Sequence, residues 1–182
     1  MKNDRIKNDR IKNENRKNNI VLIGMPGAGK STVGVLLAKA LNYDFLDTDI
    51  IIQNRNGRKL YEIINDRGID YFLRLENETL QSVDASNCVI ATGGSAVFGR
   101  EAMEHLREIG VVVYIKLSCE EIVRRVNNIK TRGIVMKKGK TMEDVYAERV
   151  PLYEKYAEIT VDGEGTTIEE CVEQIIKSLP RA

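Results

Sequence analysis

The 182-residue chain has no tryptophan, one histidine, three cysteines, three prolines and only 5% aromatic residues. Each shortage removes a class of protein. Cys88, Cys119 and Cys171 lie far apart with no Cys-x-x-Cys pair, which argues against a disulfide framework and a thiolate zinc site. Buried thiols in a reducing compartment are the expectation. His105 alone supplies neither a histidine metal site nor a relay, and it is expected on the surface of a helix. The seven tyrosines show no base-stacking pattern, and Tyr153 is expected to pack beside Pro151. No apolar run approaches the roughly 20 residues that cross a bilayer, and no signal peptide is visible. The expectation is a cytoplasmic monomer without membrane contact.

Charge of either sign is scarce as a net quantity, at +1, but it is unevenly spread. Residues 1–19 hold seven Lys/Arg against Asp4, Asp9 and Glu14, while the remainder holds 21 basic and 24 acidic residues. A mildly acidic body carries no footprint for nucleic acid. The first residues repeat: Lys2-Asn3-Asp4-Arg5-Ile6 recurs as Lys7-Asn8-Asp9-Arg10-Ile11 and then decays. Two isoleucines cannot offset the entropy of ordering such a segment. The reading is a disordered basic tail over 1–19 and a single domain over 20–180, long enough to bury a core.

Within that domain, short apolar runs alternate with helix-period segments. Ile20–Ile23, Tyr43–Leu46, Cys88–Ala91, Val111–Leu117 and a weaker Glu158–Val161 read as strands. Val33, Leu36, Leu37, Ala40 and Leu41 share one helical face, and further helical patterns fit Arg100–Ile109, Cys119–Val126, Thr141–Ala157 and Thr167–Ser178. Leu60 to Leu80 reads as two helices broken near Gly68. The alternation predicts an α/β fold with a parallel sheet covered on both faces, its ligands at the carboxyl ends of the strands.

The segment "GMPGAGKST", Gly24 to Thr32, stands between the first strand and the first helix. Gly24-x-x-x-x-Gly29-Lys30-Ser31 fits a loop whose backbone N–H groups cradle phosphate oxygens at a helix N-terminus. Gly27, Ala28, Gly29, Lys30, Ser31 and Thr32 are the candidate nucleotide contacts. Lys30 reaches the terminal phosphates, and the Ser31 hydroxyl is a candidate ligand for Mg²⁺. No Asn-Lys-x-Asp stands where a GTPase would need it. A small kinase using ATP is the reading that remains.

The second strand ends in "FLDTD". Asp47 and Asp49 are two apart, so an extended chain projects both carboxylates from one face. Such a pair suits phosphoryl transfer, with one acid near the metal and the other accepting the proton of the attacking hydroxyl. The bland alternative is a polar turn capping the next helix.

Together with "TGGSAV" (Thr92 to Val97), Arg124-Arg125, Thr131-Arg132 and "ERVPLY" (Glu148 to Tyr153), these segments resemble the shikimate kinase family over residues 18–180. The resemblance implies a three-layer P-loop kinase fold with a five-stranded parallel sheet and a mobile lid over about 127–142. It implies transfer of the γ-phosphate of ATP to a hydroxyl of a small metabolite, shikimate first among candidates. By the same resemblance Asp47 holds Mg²⁺ beside Ser31, and Asp49 binds the acceptor and acts as base. Gly93 and Gly94 offer backbone N–H groups, Arg149 clamps the acceptor carboxylate, Arg132 swings in from the lid, and Arg125 packs against adenine. Three positions depart from the pattern. Leu73 stands where an arginine is usual, with Arg74 turned about 100° round the helix; Ser95 replaces a third glycine; Gly133 follows the lid arginine in place of proline. A different acceptor of gluconate or nucleoside type, and a nucleotide-binding regulator without turnover, therefore stay open.

Overall fold

A computed structural model describes residues 17–127 and 134–180. The expected tail up to residue 16, Arg132, and the lid segment 128–133 lie outside the described residues. The elements in chain order are β1 (Asn19–Ile23), α1 (Lys30–Leu41), β2 (Asp44–Asp47), α2 (Thr48–Asn56), α3 (Leu60–Arg67) and α4 (Ile69–Gln81). Then follow β3 (Cys88–Ala91), a 3₁₀ turn (Ala96–Phe98), α5 (Arg100–Ile109), β4 (Gly110–Lys116), α6 (Cys119–Asn127), α7 (Met142–Tyr156), β5 (Ile159–Asp162) and α8 (Ile168–Ser178).

All strand pairings are parallel, in the order β2-β3-β1-β4-β5. The central β1 is buried at every position, which is why it reads as an unbroken apolar run rather than an alternating one. Register aligns the strand ends: Ala91 of β3 lies opposite Leu22 on one side and Asp47 on the other. The loops after β1 and β3 and the start of α2 after β2 thus leave the sheet side by side. Helices α1 and α8 pack together on one face, and α4, α5 and α7 with the 3₁₀ turn cover the other. The three-layer, five-stranded architecture agrees with the expectation.

The main core runs from β1 through β3 and β4 to Met103, Leu106, Tyr153 and Ile175. Each such side chain, fully buried, contributes about 1.5–3 kcal/mol. Helix α1 approaches β2 so closely that a Cβ on Gly34 would come within 2.6 Å of the Phe45 ring. A smaller second cluster, Ile52, Leu60, Ile63, Phe72 and Val135, is built by α2, α3 and α4 with the segment before α7. Gly68, at φ 83, joins α3 to α4 as the sequence foretold.

Two expectations are corrected. His105 is half-buried, its Nε2 lying 2.8 Å from the Val83 carbonyl, so it ties α5 to the loop before β3 instead of standing free on a surface. Cys88 and Cys171 are buried, but Cys119, at the first turn of α6, is only half-buried.

Candidate active site

The loop after β1 folds around its own lysine. Lys30 is 8% exposed, and its Nζ donates to the carbonyls of Gly24 (2.7 Å) and Met25 (2.9 Å). Gly27 and Gly29 take φ values of 84 and 91, in the left-handed region that favours glycine, and Gly29 caps α1 without a side-chain acceptor. The first amides of α1 therefore have no side-chain cap to compete with a phosphate oxygen. Ala28 is buried in the core and Thr32 is exposed. Arg125 on α6 lies against this loop, since a Cβ on Gly27 would sit 3.6 Å from the Arg125 Cβ. Its guanidinium donates to Glu121 at 2.6 Å. Hydrogen bonds from Arg124 and then Arg125 hold the Glu121 carboxyl down at about 2.

The acidic pair is not extended. Asp47 ends β2 and is the N-cap of α2, its Oδ1 accepting from the backbone of Asp49 (3.0 Å) and Ile50 (3.4 Å). Asp49 stands in the first turn of that helix. The helix begins between the two residues, at Thr48. Asp47 Oδ2 accepts from the Ser31 hydroxyl at 2.6 Å, so the residue that caps α2 also meets the other candidate metal ligand. A hydroxyl and a carboxylate paired this closely fit Mg²⁺, which takes few protein oxygens and keeps waters and phosphate oxygens as its other ligands. Among the described residues no cluster of three or more His, Cys, Asp or Glu forms a metal cage.

The loop after β3 forms the opposite wall. Thr92 fixes it to the sheet, with Oγ1 donating to the Leu22 carbonyl at 2.9 Å. A Cβ on Gly94 would lie 2.7 Å from the Pro26 ring, and one on Gly93 would overlap Glu76 Oε1 and come within 2.8 Å of Asp49 Oδ1. Tyr153 is fully buried, stacked on Tyr114 with centroids 5.1 Å apart, and donates to the Gly94 carbonyl at 2.6 Å. It anchors α7 to the glycine loop, a role beyond packing beside Pro151.

Arg149 is 2% exposed. It donates to the Val135 carbonyl and lies over the Phe98 ring, 5.4 Å from the centroid, while its Nε has no hydrogen-bond partner. Arg74 is exposed, and Leu73 packs against the second apolar cluster. The cation one residue on does not turn back into the site.

One cavity joins these parts. Gly27, Gly29, Lys30 and Ser31 line its phosphate side; Asp49, Gly93, Gly94 and Arg149 line the other, with Leu60, Phe72, Ile134 and Val135 as an apolar wall. Among the lining residues, Glu76 was not singled out in the sequence, and Ser95 was noted only for standing where a third glycine is usual. Burial pushes the Glu76 carboxyl up to about 7, against the opposing pull of a hydrogen bond from Ser95.

A parallel sheet with a lysine-bearing phosphate loop facing an acid and a buried arginine across one cavity defines a P-loop kinase of small molecules. The sequence model of the shikimate kinase family matches residues 26–180, and the chain belongs to that family. Similar relatives include shikimate kinases of Thermodesulfovibrio yellowstonii, 37% identical over 90% of this chain and 95% of the relative, and of Caldanaerobacter subterraneus subsp. tengcongensis, 35% identical over 88% and 95%. A solved shikimate kinase from Acinetobacter baumannii, in complex with shikimate, superposes with a TM-score of 0.80 at 30% identity, covering 91% of this chain and 94% of the other. The protein is a kinase.

Proposed function

We propose that this kinase transfers the γ-phosphate of ATP to a ring hydroxyl of shikimate. The observation that carries the reading is the single cavity lined by both the phosphate loop and the acceptor residues. Amides at the start of α1 and the Lys30 ammonium hold the phosphates, and Arg125, packed on the loop, flanks the adenine end. Ser31 and Asp47 hold Mg²⁺, which when bound neutralises charge on the transferring phosphoryl group. Arg149, desolvated and with an unused N–H, meets the acceptor carboxylate; Gly93 and Gly94 offer their backbone to the ring. Asp49 receives the proton of the attacking hydroxyl. Arg132 from the lid completes the charge on the phosphates. The protein works as a monomer in the cytoplasm.

An ADP-release assay over shikimate, quinate, gluconate and nucleosides tests the reading; turnover with another acceptor but not with shikimate rejects it. Asp49→Asn is expected to lower kcat by about 10²–10⁴-fold, with ATP binding retained. Full turnover in that variant removes Asp49 as the base.

A further inference from the structure

A second groove runs along β2, the strand at one edge of the sheet. Phe45, Leu46, Ile50 and Ile51 give it an apolar lining, and Ile50 is 52% exposed. Asp44 and Asp84, both exposed, line it as well, and among the described residues no basic side chain does. Neither of these two carboxylates has an ion-pair or hydrogen-bond partner among the described residues. Ser86 and Ala85 also border the groove. Asn18 Nδ2 donates to the Ser86 hydroxyl at 3.0 Å, and Asn19 Nδ2 to the Ala85 carbonyl at 2.7 Å. The chain therefore enters β1 beside this groove, and residues 1–16 lead into that point.

Those residues complement the groove in chemistry. They carry six basic side chains against three acidic ones. Their repeat sets each isoleucine between two cations, as Arg5-Ile6-Lys7 and Arg10-Ile11-Lys12. An extended chain sends the isoleucine to one side and its neighbours to the other. Long basic side chains can lay their stems on apolar surface and carry the charge back to a rim. The reach is sufficient. Ile11 stands seven positions before Asn18, and seven residues span up to about 25 Å. Strand β2, with four residues, extends over only about 13 Å.

We propose that the groove along β2 is the docking site of this chain's own residues 1–16, one Arg-Ile-Lys triplet at a time. The isoleucine rests on the apolar lining, and the two bases meet Asp44 and Asp84. Two isoleucines do not offset the ordering of sixteen residues, but docking one triplet orders only a few of them. The tether presents the triplet at an effective concentration of about a millimolar or more. Repetition supplies two equivalent triplets for one groove. The docked segment also covers the free edge of the sheet, whose unpaired backbone groups are otherwise open to another chain. Asp47 is the one groove residue that also belongs to the candidate site, and the contacts at Asp44 and Asp84 leave it alone.

Hydrogen–deuterium exchange of the full chain, compared with a chain that starts at residue 17, tests this. Amides of residues 44–51 and 84–88 are expected to exchange about threefold slower or more in the full chain at low salt. At about 1 M salt, where the screening length falls to about 3 Å, the difference shrinks. In the full chain, Asp44→Asn with Asp84→Asn also shrinks it, and Ile6→Ser with Ile11→Ser abolishes it. Either isoleucine substitution alone leaves most of it, since the other triplet serves. All four positions lie outside the candidate site, so unchanged turnover reports that each variant is folded. Equal exchange in the full and shortened chains overturns the proposal. Protection that survives both double substitutions overturns it too, by placing the segment elsewhere. Protection that grows with protein concentration assigns the groove to a second copy of the chain and overturns the intramolecular occupant.

Discussion

Glu76 shows how a single residue sets the character of this site. Its carboxyl is neutral in the folded, ligand-free protein up to about pH 7 but ionises near 4.5 when exposed. The folded state thus binds more protons between those values, and stability falls as pH rises through that window. The stabilisation is complete below about 4.5 and lost by the time pH passes 7. Glu76→Gln cannot ionise, so relative to the variant the wild type is expected to lose about 3 kcal/mol between pH 4.5 and 7. Thermal melts of both proteins across that range check this; parallel curves would show that Glu76 is solvated. The residue was not legible in the sequence. Nothing there marked it, because its partner Ser95 lies nineteen positions on and meets it only through the fold. Lys30, Ser31 and the glycines were legible because their function is local, written within one turn of chain. Arg149 was found through its neighbours in sequence, whereas its burial against Phe98 and Val135 has no sequence signal.

At the level of elements, the strands were readable because a central parallel strand is apolar at every position, as Ile20 to Ile23 and Val111 to Ile115 are. Helix α2 was the less readable one. It starts directly after a strand, and Asp47-Thr48-Asp49 satisfies both an extended and a capping pattern until tertiary contacts choose. Helix α7 announces its start clearly. Thr141 accepts from the Asp144 amide while the Asp144 carboxylate accepts from the Thr141 amide, a reciprocal cap on the helix that carries Arg149 and Tyr153. Thr141→Ala is expected to remove about 1 kcal/mol of stability. For a chain of this size that lowers Tm by roughly 2–4 °C. Because α7 holds acceptor-side residues, the acceptor KM should rise more than the ATP KM; equal changes would mean the helix moves as a rigid part of the sheet.

For the whole molecule, nucleotide binding should appear as stability. A ligand at a hundred times its Kd adds about 2.7 kcal/mol to the folded state. Magnesium-ATP is therefore expected to raise Tm by about 5–10 °C, and Lys30→Met to abolish most of that shift. All five strands and every cavity residue named above fall between Asn19 and Arg149 or, for β5, at Ile159–Asp162. Removing residues 1–16 is accordingly expected to leave both the ATP-induced shift and the two KM values unchanged. A smaller shift in the shortened chain would assign that segment a part in binding.

Asp47 has a wider consequence. One of its oxygens receives Ser31 on the nucleotide side, and the other begins the helix that carries Asp49. Under the function proposed above, a substitution of Asp47 that retunes the grip on the phosphate donor must also disturb the residue poised over its recipient. Mutational drift cannot remodel either half alone, and a lineage acquiring a new acceptor would have to change the cavity wall while leaving this hinge of the design untouched.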